Sequence, residues 1–134
     1  MRALVARLDC FVSLHRSEGL GLSLAGSMAA GVPVIATGYS GNLEFMSRAN
    51  SVLVPYELTD VGDGADPYPP DACWAEPDAD VAAAEMRRLF DHPDDAARIG
   101  ARGRASIQAG YSAKAAATWF AERFEELTGI EVRL

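Results

Sequence analysis

The stretch from Phe11 to Glu44 constrains this chain most. It reads FVSLHRSEGLGLSLAGSMAAGVPVIATGYSGNLE: an apolar run, a Glu-Gly-x-Gly turn, a short helical pattern, and a second apolar run closed by another glycine-rich turn. Cys10 to Leu14 is short, apolar and rich in strand formers, as in a strand covered on both faces. Leu20, Leu24 and Met28 recur four apart with alanines between them, which predicts a helix over about 21–30 ended by Gly31 and Pro33. Val32 to Thr37 is then a second strand, parallel to the first through a right-handed crossover. The unit is βαβ, with an anion site expected where the glycine turn feeds the helix.

Along the rest of the chain the signals are coarser. Residues 1–8 carry Leu4, Val5 and Leu8 at helical spacing and open without a capping residue, like the tail of a helix. Asn42 to Met46 forms a helical turn, and Ser51 to Val54 a third strand. Residues 55–77 are rich in Pro, Gly and Asp without a period, and read as a long loop. Residues 78–128 form a helical tail: Asp78 caps a helix to about Phe90, Pro93 opens a second that Gly100, Gly103 and Gly110 weaken, and Ser112 caps a third. In the last helix Ala116, Phe120, Phe124 and Leu127 make one apolar stripe; Trp119, Phe120 and Phe124 at this spacing read as core, and any part of the stripe left without its covering domain would be exposed and favour dimers or aggregation.

The fold class is therefore α/β. A partial Rossmann-like parallel sheet of about three strands carries flanking helices and a helical carboxy-terminal tail, in a single partial domain over residues 1–134. Three short parallel strands are few for a sheet covered on both faces, and the architecture reads as part of a larger one.

Composition narrows the partners. With 134 residues, 49% of them hydrophobic, and a formal charge of −7, one globular unit is expected, and nonspecific binding to nucleic acid or an anionic membrane is disfavoured. No apolar stretch approaches the roughly 18–20 residues of a membrane span, although peripheral membrane contact stays open. Cys10 and Cys73 show neither disulfide nor metal-ligand spacing, so no disulfide partner and no metal site are expected, and a cytoplasmic location follows. Asp60, Asp63, Asp66 and Asp71 lack the spacing of a calcium loop and read as a solvated acidic loop.

Ligands in open α/β sheets bind beyond the carboxyl ends of the strands, where His15 to Gly21 and Gly38 to Asn42 should lie side by side. Gly19 and Gly21 leave backbone amides bare at a helix start, which suits a phosphate or diphosphate. Glu18 cannot itself bind phosphate; it can accept hydrogen bonds from hydroxyls, or be only a solvated acid at a helix start. Arg16 can offset nearby charge. His15 either donates to a ligand or caps its own strand.

The string SEGLGLSLAGSMAAGVPVIATGYSGNLEFM resembles the donor-binding domain of GT-B glycosyltransferases of the family 4, or group 1, type. The likeness continues through NSVLVPYEL, the Pro-Tyr-Pro loop, WAEPD and the last helices. It implies metal-independent transfer of a sugar from a nucleotide-diphosphate donor with retention, the donor being a substrate and no cofactor being required. It also implies that Glu18 is the catalytic-site carboxylate, holding donor-sugar hydroxyls. The amides of Gly19, Leu20, Gly21 and Leu22 would face the diphosphate, and Ser40, Gly41 and Asn42 would close on the sugar, with His15 and Arg16 beside them.

The family's second glutamate, which holds the ribose, falls at Gly26. That departure removes charge-assisted hydrogen bonds worth about 1.5–3 kcal/mol and adds a helical glycine costing about 1 kcal/mol relative to alanine. The amino-terminal GT-B domain is expected to be missing or separately encoded. Two functions stay open: the donor-binding part of a glycosyltransferase, inactive alone, or a non-catalytic nucleotide-sugar-binding or interaction module.

Overall fold

The computed structural model describes residues 2–132; Met1, at the start of the expected first helical segment, and Arg133 and Leu134, at the end of the expected domain, lie outside them. The elements run α1 (Arg2–Val5), β1 (Phe11–Ser13), α2 (Leu22–Ala29), β2 (Val34–Thr37), a 3-10 turn (Gly41–Glu44), β3 (Val52–Val54), β4 (Tyr56–Asp60), β5 (Cys73–Pro77), α3 (Ala79–Asp91), α4 (Pro93–Gly110) and α5 (Ala113–Thr128). The first three strands form one parallel sheet in the order β1-β2-β3. Phe11 lies opposite Val34, and Ile35 opposite Val52.

Strand β2 is buried along its whole length. Because successive side chains point to opposite faces, Val34 and Ala36 join Leu24, Met28, Phe45 and Ile107 in one core, while Ile35 joins Val54, Ala82 and Leu89 in the other. The result is three layers, with α2 and α4 on one face and α3 on the other. At about 1.5–3 kcal/mol for each fully buried aliphatic side chain, these two clusters are the main stabilisation available to so short a sheet.

Residues 55–77, expected as a loop, pair instead as an antiparallel ribbon of β4 with β5, in which Leu58 faces Ala75 and Thr59 faces Trp74. Only residues 61–72 connect them without strand structure. The ribbon turns back over the strand ends: Ala75 N–H donates to the Arg16 carbonyl at 2.9 Å, and the Arg16 guanidinium stacks over the Trp74 ring at 4.6 Å.

The helix caps follow the sequence. The Asp78 carboxylate accepts from Val81 N–H at 2.9 Å, and the Ser112 hydroxyl oxygen accepts from Ala115 N–H at 3.1 Å. Pro93 occupies the first turn of α4. The glycines of α4 do not break it, and two of them have a packing role. A Cβ at Gly100 would collide with the Gly31 carbonyl, and one at Gly103 would sit 3.2 Å from the Asn50 carbonyl. They let α4 lie directly on the end of α2, where a bulkier pair would hold the helices apart.

The last helix corrects an expectation. Of its stripe, Phe120, Phe124 and Leu127 are exposed, and so is Trp119. The side of α5 that is covered is the narrow one around Ala121.

Both cysteines are free thiols; Cys10 is half-buried and its pKa is pushed up by burial, while Cys73 is exposed. Among the described residues no helix is long and apolar enough to cross a membrane.

Substituting single glycines of α4 separates propensity from packing. Gly100→Ala should lose about 1–3 kcal/mol through overpacking. Gly110→Ala, with nothing within 4 Å of the added methyl, should be neutral or gain up to about 1 kcal/mol. Urea denaturation of both variants checks this, and equal midpoints would remove the packing role assigned to Gly100.

Candidate functional site

The site lies at the carboxyl ends of β1 and β2, where two turns meet backbone to backbone. Gly19 and Gly41 are in such close contact that a Cβ at Gly41 would overlap the Gly19 carbonyl. The Ser40 hydroxyl donates to the Glu18 carbonyl at 2.5 Å and accepts from Glu18 N–H at 3.2 Å. Gly41 N–H adds a bond to the same carbonyl at 3.3 Å. One serine therefore clasps both backbone groups of Glu18.

The clasp has a conformational cost. Ser40 has φ 80° and ψ −158°, a region occupied almost only by glycine, where another residue costs about 1–3 kcal/mol. Among the described non-glycine residues it alone has positive φ. The hydrogen bonds to Glu18 are what a serine offers there and a glycine does not.

His15 fixes the second turn from below. Its Nε2 lies 3.0 Å from the Tyr39 carbonyl and 3.2 Å from Asn42 Oδ1, two acceptors, so the Nε2–H tautomer satisfies this geometry and Nδ1 is left to accept from the Ser13 hydroxyl at 3.3 Å. Asn42 is fully buried, and its Nδ2 donates to the Thr37 carbonyl at 3.0 Å. Outside this shell, the Tyr111 hydroxyl donates to the Glu44 carbonyl at 2.5 Å and the Asn50 amide donates to the Phe45 carbonyl at 2.9 Å. The 3-10 turn is thus held from several sides.

The expected site residues separate into two groups. His15, Ser40, Gly41 and Asn42 are engaged with one another and with backbone, as parts that set the shape of the turns. Arg16 is also committed, at 2.7 Å from Glu76 and over Trp74, so its charge is directed to the β4–β5 ribbon. The Glu18 carboxylate and the exposed Leu20 and Leu22 form the open group, while Gly19 packs against Gly41 and Gly21 is buried at the start of α2. The partly buried Glu18 carboxylate has no hydrogen bond or ion pair among the described residues.

Gly21 caps α2 with φ 85°, a left-handed conformation suited to glycine, and supplies no side-chain acceptor. The first amides of α2 accordingly have neither an intrahelical partner nor a side-chain cap. Gly26 sits one turn beyond Leu22 on α2, exposed, with open space where a Cβ would stand. It opens onto a cavity of about 790 Å³ whose walls include Leu22, Ser23, Leu4, Leu8 and Phe11. The position is not part of the clasp around Glu18.

A feature missed in the sequence is Arg48. It borders a smaller cleft of about 230 Å³ with Gly38 and Tyr56, at the ends of β2 and β3, and makes no ion pair among the described residues. Its only signal was a lone cation between two predicted elements of an acidic chain.

A parallel sheet with helices on both faces and glycine turns packed at its strand ends is a Rossmann-like α/β domain of the kind found in GT-B proteins. Residues 1–66 match the family model described as glycosyl transferases, group 1. The sucrose-phosphate synthase of Thermosynechococcus elongatus superposes with a TM-score of 0.56 at 25% identity, over 81% of this chain and 23% of that one. A comparison with curated proteins finds no match. Residues 1–66 are thus similar to group 1 glycosyl transferases, and the chain spans 23% of the length of the synthase it resembles.

The clasp yields a direct test. Ser40→Ala keeps the unfavourable backbone and loses both hydrogen bonds to Glu18, whereas Ser40→Gly loses the bonds but relaxes the backbone. Ser40→Gly should be more stable than Ser40→Ala by about 1–3 kcal/mol in urea denaturation. Equal stability would mean that the Ser40 conformation is not strained.

Proposed function

We propose that this chain supplies the donor-binding part of a glycosyltransferase that transfers a sugar from a nucleotide-diphosphate donor with retention. One observation carries the reading: an unpartnered carboxylate, Glu18, is held by its own backbone beside the uncapped amides at the start of α2. A carboxylate accepts from sugar hydroxyls, and helix-start amides favour an oxyanion. Few small ligands need both within one turn; a sugar joined to a diphosphate does.

In this reading Glu18 holds the donor sugar, and the amides of Gly19 to Leu22 receive the diphosphate. As the glycosidic bond breaks, positive charge develops on an oxocarbenium-like sugar near Glu18, and negative charge on the departing diphosphate at the α2 terminus. His15 and Asn42 keep the Ser40–Gly41 turn against Glu18. No metal is required by these groups, and none of them is placed as a nucleophile.

A second reading, a non-catalytic nucleotide-sugar-binding or interaction module, is favoured by two observations. Gly26 stands where the resemblance calls for a ribose-binding glutamate, and Arg16, the cation of the turn, is bound to Glu76 rather than free for the diphosphate. Both weaken donor affinity. Both fit an isolated chain that binds without turning over, and a separate amino-terminal GT-B domain would be the partner that completes catalysis.

Calorimetry with UDP-sugars, GDP-sugars and the free nucleotides tests donor binding. Weak binding of a nucleotide sugar is expected, with Glu18→Gln reducing that affinity about tenfold while leaving the free nucleotide unchanged. No heat with any ligand would remove the donor site from both readings. Gly26→Glu has open space around it and should tighten nucleotide binding by about tenfold or more if the position faces a ribose. Release of free sugar from bound donor would favour the transferase, and binding without turnover the module.

A further inference from the structure

The β4–β5 ribbon is lightly packed, with β4 exposed along its length, yet it is tied to both turns of the site. Among the described residues its polar and ring contacts with the Glu18 turn all run through Arg16. Ala75 N–H donates to the Arg16 carbonyl, Glu76 pairs with the guanidinium at 2.7 Å, and the Trp74 ring lies under it. Trp74 and Glu76 stand two apart on β5 and so share a face, and one guanidinium lies across both. The Tyr39 and Tyr56 rings, with centroids 5.0 Å apart, tie the ribbon to the second turn.

Arg16 is held in a way that is easily undone. Both side chains of the Arg16–Glu76 pair are 48% exposed, so water takes over the Glu76 carboxylate when the arginine leaves. Ion pairs and cation–π contacts at such exposure are weak. A diphosphate carries more charge than one carboxylate and accepts an arginine fork in the same bidentate manner. Arg16 stands two residues before Glu18, in the turn that leads to the uncapped amides of α2.

We propose that Glu76 and Trp74 form a latch that stores Arg16 away from the diphosphate position, and that an arriving donor draws the guanidinium across as β5 moves aside on the Ala75–Arg16 backbone bond. The latch deepens the donor-binding reading of the Glu18 turn and rests on it. Parting Arg16 from the ribbon lowers donor affinity by the work it costs, and ribbon position becomes linked to occupancy of the site. The empty site thus keeps its one arginine neutralised and its ribbon docked.

Trp74 reports the latch directly, because its emission responds to loss of the cation over its ring. In a Trp119→Phe background, UDP-sugars, GDP-sugars and inorganic pyrophosphate are titrated by Trp74 fluorescence and by calorimetry. The expected result is a Trp74 change whose midpoint coincides with the calorimetric Kd for a nucleotide sugar. Glu76→Gln should tighten binding about twofold to fivefold, and Arg16→Gln should weaken it about tenfold. The double variant should bind no more tightly than Arg16→Gln alone, since without the arginine there is nothing to release. Arg16→Lys keeps the charge without the planar fork and repeats the comparison in a milder form, with far-UV spectra showing that each variant is folded. Ligand that binds while Trp74 emission stays unchanged overturns the latch and leaves the donor site standing. A gain from Glu76→Gln that persists without Arg16 also overturns it, and assigns Glu76 to simple repulsion of the anion. No heat with any ligand overturns the latch together with the donor-binding reading.

Discussion

Strand β2 is the element on which the remaining structure depends. It pairs on both edges and is buried on both faces, so its four residues are the boundary of both hydrophobic cores at once. Such a strand cannot shift register by one residue without exchanging Val34 and Ala36 for Ile35 and Thr37 between the two cores. Register in turn decides where the chain leaves the sheet. Gly38 N–H donates to the Val54 carbonyl at 2.8 Å, and the next residues turn toward β1 and bring Ser40 onto Glu18. The site is thus a consequence of core packing carried to the strand end.

That inheritance explains the division of labour within the site. A turn fixed only by its own residues would relax away from the Ser40 conformation, which costs about as much as a good hydrogen bond returns. Here the surroundings determine it: His15 and Asn42 hold the turn from the sheet side, and Tyr111 and Asn50 from the helix side. The Glu18 backbone is therefore immobilised while its carboxylate stays unpartnered. A group that must accept hydrogen bonds from a ligand is well served by this arrangement, because little conformational entropy is lost when the ligand arrives.

The sequence carried most of the parallel sheet, because its strands lie in short apolar runs, β2 between Pro33 and Gly38 and β3 ended by Pro55, and the α3 and α5 caps, because Asp78 and Ser112 stand where the physics of helix starts requires them. The β4–β5 ribbon was not legible. Its strands are separated by residues 61–72, so no short-turn signal joins them, and β4 is exposed along its length, so no burial pattern marks it. The glycines of α4 read as weak points because propensity is local, whereas the approach of Gly100 to Gly31 is tertiary. In α5 the periodicity identified an apolar face but carried no information about what covers it. Glu18 and the glycines of its turn were visible as chemistry; the Ser40 clasp was not, since a serine in a glycine conformation leaves no mark on a sequence.

Electrostatics sets the limit on what the site can do by itself. Arg16 is neutralised by Glu76, and Arg88 lies between Glu85 and Asp95. A diphosphate arriving at α2 would meet uncapped amides and a helix of only eight residues, within a chain of formal charge −7. The amides are short-range donors whose dipolar potential fades within a turn, while the repulsion from the whole chain acts over a Debye length of about 8–10 Å. Added salt should therefore screen more repulsion than attraction, the reverse of a phosphate site built on arginines. Efficient departure of a diphosphate needs a cation close to it, and within this turn the only candidate is already bound to the ribbon. Under the donor-binding reading, the completing charge would come from release of Arg16 by movement of β5, from Arg48 at the neighbouring strand ends, or from a second polypeptide surface.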